Sequence, residues 1–139
     1  MFNISTKSQY GLRAMVYLAR AEKKICPLEE IARKENLSFE YLEKIAVKLK
    51  KAGLINSKKG SQGGYFLAKK AKKITTREII LALENRKNLV KCIAKDKKYY
   101  CPLEKKCLTK SFWQKIQGSI EQTLNSITLA DLACQDKKN

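Results

Sequence analysis

The sequence predicts a mostly α-helical chain: a helix, two short helices meeting at a tight turn, a β-hairpin, a fourth helix and, beyond an irregular stretch, a long C-terminal helix. Three observations predict it. Apolar residues recur at spacings of three and four over most of the chain, the period of an amphipathic helix. Between Leu54 and Leu67 that period gives way to two short apolar runs around a glycine-rich tip, the pattern of a hairpin. Residues that cap helices stand where the periodic segments begin.

Taken in order, Leu12, Met15, Tyr17, Leu18 and Ala19 place a first helix from Ser8 to about Ala21. Pro27 suits the first position of a second helix, with Glu29 and Glu30 at the positive end of its dipole and Ile31 and Ala32 facing inward. Lys34 to Leu37 makes the turn. Ser38 caps a third helix, whose stripe is Leu42, Ile45, Leu49 and Ala52, and Gly53 can take the left-handed conformation that ends it. The hairpin joins Leu54-Ile55 to Tyr65-Phe66-Leu67. Thr75 and Glu78 form a capping box, with Ile74 and Ile79 as its hydrophobic staple, opening a fourth helix that runs to about Leu83. A loop follows over 88–108 with three cysteines and Pro102; loops of that length in compact domains are mostly functional or disordered. Ser111 and Gln114 offer a capping box for the long helix, and Trp113, Ile116, Ile120, Leu124 and Ile127 form its apolar stripe, a surface suited to a second copy of the chain. A short capped helix is expected from Thr128 and a frayed tail after Cys134. The expected organisation is 1–87 as a winged helix-turn-helix domain, 88–108 as a cysteine loop and 109–139 as a dimerisation helix and tail.

Composition narrows the function. The 139 residues carry 30 Lys and Arg against 13 Asp and Glu, a net charge of +17, which favours a polyanionic partner. Residues 44–73 alone hold ten lysines and no acid. No apolar run approaches the ~20 residues of a bilayer span and no apolar signal segment follows Met1, so a soluble cytoplasmic protein without a membrane partner is expected. With no histidine in the chain, the commonest general base and metal ligand is missing. No Walker-type or dinucleotide glycine loop is present. An enzyme, or a protein with a small-molecule substrate, is therefore not expected. Five cysteines, an odd number without an export signal, read as thiols rather than a disulfide framework.

A helix that enters the major groove beside a basic hairpin is the geometry of winged helix-turn-helix proteins. With Leu42, Ile45 and Leu49 inward, the third helix turns Glu40, Glu43, Lys44, Val47, Lys48 and Lys51 outward. Lysines there can meet guanine edges or phosphates, and a glutamate can accept from cytosine N4. In the hairpin Ser57, Lys58 and Lys59 supply donors, while Gly60, Gly63 and Gly64 let backbone approach phosphate. The cysteines Cys92, Cys101 and Cys107 lie among Lys91, Lys95, Lys97, Lys98, Lys105 and Lys106, a cationic setting in which thiols ionise and bind zinc or iron–sulfur clusters. Spacing alone does not separate the two.

In this order the pieces resemble the IscR/NsrR-type (Rrf2) family of winged-helix iron–sulfur regulators. They run from Ser8-Gln-Tyr-Gly-Leu-Arg-Ala-Met15 through Ile31-Ala32, Leu37-Ser38, Tyr41-Leu-Glu43 and Leu49-Lys-Lys-Ala-Gly-Leu-Ile55. They continue through Ser57-Lys-Lys-Gly-Ser-Gln-Gly-Gly-Tyr-Phe-Leu67, Ile74-Thr75, Ala82-Leu-Glu84, the cysteine triplet, Trp113 and Ile127-Thr-Leu-Ala-Asp-Leu132. The resemblance implies a homodimer joined through the long helix, a palindromic operator in double-stranded DNA, and a cluster on Cys92, Cys101 and Cys107. It also implies DNA contacts from Ser38, Glu43, Lys44, Lys59 and Gly60. Cluster type, 2Fe-2S or 4Fe-4S, stays open. So does a fourth ligand: the family's histidine or N-terminal aspartate has no counterpart here, with Gln9 at the aspartate position, and Glu104, Asp96, Cys134, Cys26, the Gln9 amide or a ligand from solution remain candidates. Two other readings remain: a thiol-redox or zinc-dependent repressor on the same fold, and a basic protein that binds nucleic acid without sequence preference.

Overall fold

The computed structural model describes residues 3–22, 24–95 and 100–135. In chain order its elements are α1 (Thr6–Arg20), α2 (Leu28–Glu35), α3 (Phe39–Lys51), β1 (Ile55–Lys58), β2 (Gly64–Leu67), α4 (Thr76–Leu83), α5 (Lys110–Ser126) and α6 (Leu129–Ala133). Short 3-10 turns stand at Ala71–Lys73, Lys91–Ile93 and Glu104–Lys106. This is the predicted fold class, a helical domain with one two-stranded antiparallel wing. No helix among the described residues is long and apolar enough to cross a membrane.

Most of the local reading holds because it rests on interactions three or four residues apart. Ser38 caps α3 by accepting from the Tyr41 N–H at 3.4 Å. At α4 both halves of the capping box form, the Glu78 N–H donating to Thr75 Oγ1 at 3.2 Å and the Thr75 N–H to Glu78 Oε2 at 2.9 Å. The staple residues Ile74 and Ile79 are both 0% exposed. Asn36 (φ 53°) turns the chain out of α2, and Gly53 (φ 76°) follows α3 in the left-handed conformation that a side chain would resist.

Three local expectations differ. Pro27 is the N-cap of α2 rather than its first helical residue. Its neighbour Cys26 is still extended, exchanging backbone bonds with Tyr65 of β2 (2.9 and 2.8 Å), so the chain cannot turn helical until Leu28. Ala52 is the exposed C-cap of α3, and Ala46 takes its place in the buried stripe with Leu42, Ile45 and Leu49. The box at Ser111 and Gln114 does not form, because α5 starts upstream: the Trp113 N–H already donates to Thr109 O at 3.2 Å.

The core gathers Met15 from α1, Ile45 from α3, Ile74 and Ile79 around the start of α4, and Leu129 from α6, all 0% exposed. The last of these is a long-range result. Thr128 and Asp131 form their own capping box, and the Leu129 N–H donates to Ile74 O at 2.8 Å while the Thr76 N–H donates to Ile127 O at 2.9 Å. Arg20 of α1 donates from Nε to Ala133 O at 3.1 Å. The chain thus leaves the domain after α4, travels through the loop and α5, and returns to pack against α1. Between Leu83 and Leu129 no described residue is buried. The lysine-rich tail expected to fray lies outside the described residues, as do Asp96, Lys97 and Lys98 of the loop.

Candidate nucleic-acid interface and cysteine loop

Burying Leu42, Ile45, Ala46 and Leu49 fixes the rotation of α3 and leaves Glu43, Lys44 and Val47 in solvent. Val47 is 60% exposed, an apolar residue between charges on a face that its own chain does not cover. Ser38, also exposed, stands at the N-terminus of this face. Two contacts set its borders. On one side the Lys50 ammonium donates to Ser57 Oγ of β1 at 2.6 Å, tying the helix to the wing. On the other, Tyr41 meets Tyr10 of α1 edge to face, with centroids 5.8 Å apart.

In the wing Ser57 pairs with Tyr65 and Lys58 with Gly64, and Lys58, Lys59 and Gly60 are all exposed. Gly60 (φ 113°) has nothing within 4 Å of where a Cβ would be, so this backbone is open to a phosphate. Gly63 and Gly64 have another use. A Cβ on Gly63 would come 2.2 Å from Lys58 O, and one on Gly64 2.3 Å from Cys26 O. Their lack of a side chain is required by the wing's own closure and its seat on the domain.

Of the residues expected to meet DNA, Glu43, Lys44 and Lys48 lie on α3 with Ser38 at its N-cap, and Ser57, Lys58, Lys59 and Gly60 lie on the wing, which Lys50 ties to α3. Lys48 is half-buried, and its ammonium is pushed below the ordinary lysine range, first by contact with the Lys7 ammonium and then by burial. Lys50, counted in the sequence only within the basic run of 44–73, is the residue that ties α3 to the wing.

The cysteine loop leaves Cys92, Cys101 and Cys107 half-exposed. Cys107 Sγ lies 3.4 Å from Thr109 Oγ1, and that hydrogen bond, with backbone N–H groups at the start of α5, holds its thiol below the usual cysteine value. Lys110 feels both Cys92 and Cys107, and its ammonium is raised chiefly by an ion pair with Glu104 at 2.9 Å. Glu104, one candidate fourth ligand, is thereby engaged. Gln9 donates its amide to Ile4 O at 3.1 Å, and Cys26 is 1% exposed in the core, its thiol raised by burial. The donors suit a cluster chemically. Their placement does not: among the described residues no group of three or more His, Cys, Asp or Glu side chains is arranged to hold a metal ion.

The loop is anchored to α5 by Gln117, whose Oε1 accepts from the Leu89 N–H at 2.9 Å and whose Nε2 donates to Asn88 Oδ1 at 2.7 Å. The helix itself touches the domain where Thr76 Oγ1 donates to Leu124 O at 2.7 Å. None of its residues is buried. Ile120 is 38% exposed, Trp113, Ile116, Leu124 and Ile127 are half-buried, and Phe112 is 54% exposed.

Known proteins match this arrangement over almost all of the chain. The Rrf2 protein of Nitratidesulfovibrio vulgaris is 35% identical over 130 residues, covering 93% of this chain and 85% of its own. Among solved structures, CymR of B. subtilis, the global cysteine regulator, superposes with a TM-score of 0.77 at 36% identity, covering 98% of this chain and 100% of that one. IscR of T. potens superposes with a TM-score of 0.72 at 39% identity, covering 94% and 85%. These relatives are regulators rather than enzymes, as the missing histidine and nucleotide loops had suggested. The Rrf2 family, described as iron-dependent transcriptional regulators, matches residues 4–135, and the chain belongs to it: it is a DNA-binding transcription regulator.

Proposed function

We propose that two copies of this chain bind a palindromic operator in the cytoplasm, and that the cysteine loop sets how firmly they hold it. Residues 1–87 read the DNA, 88–108 sense, and 109–139 join the copies. The observation that carries this reading is the exposed face of α3, where Glu43, Lys44 and Val47 stand beside the Ser57–Gly60 wing. Lysines at phosphates provide affinity without sequence information, while Glu43 repels phosphate and discriminates bases, a correct edge contact being worth about 1–3 kcal/mol. The apolar stripe of α5, only partly covered by its own chain, supports a helix-to-helix dimer through Trp113, Ile116, Ile120, Leu124 and Ile127. Anisotropy titrations on a duplex selected from a random pool, and on its scrambled version, test the reading. Equal affinity for both would make the chain a non-specific binder.

For the signal, the three thiols and the family's iron dependence support an iron–sulfur cluster on Cys92, Cys101 and Cys107. A cluster would supply an oxygen-sensitive group that cross-links the loop. Among the described residues the three thiols do not converge on one centre, so the loop would have to rearrange to hold a cluster. A second reading, thiol oxidation, draws on the lowered thiol of Cys107 and on Cys92 and Cys107 both facing Lys110. Two thiols would lose two protons and two electrons to a peroxide, giving a disulfide and two waters. Iron, sulfide and zinc quantified on protein purified without air separate the readings. Iron and sulfide lost in each Cys→Ser variant at 92, 101 or 107 supports the cluster; metal-free protein that gains a reducible disulfide supports oxidation; stoichiometric zinc without sulfide makes this a zinc site.

A further inference from the structure

The long helix α5 is tied to the rest of the chain by side-chain hydrogen bonds at two places. Near its C-terminal end Thr76 Oγ1 of α4 donates to Leu124 O at 2.7 Å. About two turns earlier, Gln117 holds the start of the cysteine loop with both ends of its amide: Oε1 accepts from the Leu89 N–H at 2.9 Å, and Nε2 donates to Asn88 Oδ1 at 2.7 Å. Nε2 also donates to Glu121 Oε1 at 3.2 Å, so its second hydrogen fixes the amide against its own helix. Asn88, Leu89 and Gln117 are all half-buried. A polar group that loses its partner where water is partly excluded costs more than one on an open surface, so the tie is either made or broken at a price.

What stands on either side of the tie gives it a use. Upstream, only Asn85, Arg86 and Lys87 separate it from Glu84, which accepts from the Ser8 hydroxyl of α1 at 2.6 Å and from the Ser5 N–H at 2.9 Å. Downstream, Val90 alone separates Leu89 from the 3-10 turn Lys91–Ile93, which carries Cys92 and itself packs on α5. Behind the tie α5 does not close onto α4: a cavity of about 520 Å³ has Ile80, Leu83, Leu89, Gln117, Ile120 and Leu124 among its walls. A close-packed helix resists displacement. One that spans a cavity has room to move once a polar tie is released.

We propose that Gln117 is the positioning residue through which the state of the cysteine loop reaches the dimer helix. This rests on the reading above, in which the loop senses and α5 joins the copies, and adds the contact that couples them. A change at Cys92 that draws its turn away pulls the Leu89 N–H from Gln117, and α5 loses one of its two holds. The N-terminal half of α5 then tilts about the Thr76–Leu124 tie, which changes the spacing of two recognition helices joined through α5. The leverage equals the difference with which the two loop states engage Gln117.

The test compares full-length wild type, Gln117→Leu, Asn88→Ala and Asn88→Asp, each purified without air and again after treatment with hydrogen peroxide. Amide hydrogen exchange at Leu89 and along 117–124 is measured in both states, together with affinity for the selected operator. In wild type the Leu89 amide should be protected before peroxide. Peroxide should speed exchange there and along 117–124 together, and change operator affinity by ~5–150-fold for a coupling of ordinary size. Gln117→Leu should leave Leu89 unprotected in both states, show the same α5 exchange in both, and bring the affinity ratio between states toward one, while its thiols and metal respond to peroxide as in wild type. Asn88→Ala, which removes one bond without altering α5, should give an intermediate ratio, and Asn88→Asp, which keeps the acceptor, should restore it. Retention of the full ratio in both Gln117→Leu and Asn88→Ala overturns the proposal. So does an equal loss of operator affinity in both states, which would make the tie merely structural, or a wild-type response that stays in the loop and leaves 117–124 unchanged. If wild type alters its α5 exchange but not its operator affinity, the sensing reading falls while the coupling through Gln117 stands.

Discussion

The stretch from Leu83 to Leu129 and the domain it leaves and rejoins are built in opposite ways. In the domain, α1, α3, α4 and α6 bury one another's apolar stripes down to 0–4% exposure at Met15, Leu18, Ile45, Ile79 and Leu129. In the stretch, α5 carries an apolar stripe of which no residue is fully buried: Trp113, Ile116, Leu124 and Ile127 are half-buried and Ile120 is exposed. A helix of seventeen residues holds itself together poorly in water without a packed face. The difference teaches that the domain's stability is internal, whereas the burial of α5 is left incomplete within one chain, which the dimer proposed above would complete.

The largest effect is expected at the proposed dimer helix. Ile120→Asp places a charge in the proposed α5 interface, at a cost of about 3–5 kcal/mol if it is buried unpaired. Sedimentation should show monomer, and operator affinity should collapse because two half-sites no longer share one ligand, while the isolated domain keeps its helical signal. A variant that remains dimeric moves the interface away from α5. Leu129→Ala breaks the other side of the comparison. It opens a cavity in the shared core and should lower unfolding free energy by about 2–5 kcal/mol in denaturant titrations, whereas Leu124→Ala on α5 should cost less in the dissociated protein.

At the junction of the two regions, Glu84→Gln removes the charged acceptor that ties Ser5 and Ser8 to the end of α4, for a loss of about 1–2 kcal/mol at neutral pH. Burial alone would raise this carboxyl, but the hydrogen bonds from Ser8 and Ser5, with Lys7 nearby, outweigh it and hold it below the ordinary value. The sign follows: the stabilisation is full above the unfolded carboxylate value near ~4.3 and fades as pH falls through the lower folded value. Wild type and Glu84→Gln should therefore converge in stability only in acid, and a constant gap down to acid pH would refute the charged role. The smallest effects separate the two elements of the DNA face. Lys59→Ala should weaken all duplexes alike, by about one counterion per subunit in the salt slope. Glu43→Ala should cost little affinity and relax base preference by about 1 kcal/mol or more at one position; unchanged discrimination would remove that glutamate from base reading.

What was legible in the sequence is what neighbours in the chain decide among themselves. The boxes at Thr75 with Glu78 and at Thr128 with Asp131, the cap at Ser38, the left-handed Gly53 and the inward stripe of α3 are interactions within a turn or two, and composition adds the charge that points to nucleic acid. Tertiary structure alone decided that Leu129 completes a core begun at Met15, that Gly63 and Gly64 leave room for Lys58 O and Cys26 O, and that Lys50 ties α3 to Ser57 of the wing. It also decided that three thiols close in sequence need not share a centre. The reason is the same in each case. A hydrogen bond three residues away is set by backbone geometry, but a contact across the chain is set by which packing buries the most apolar surface at once, and no local pattern records that sum.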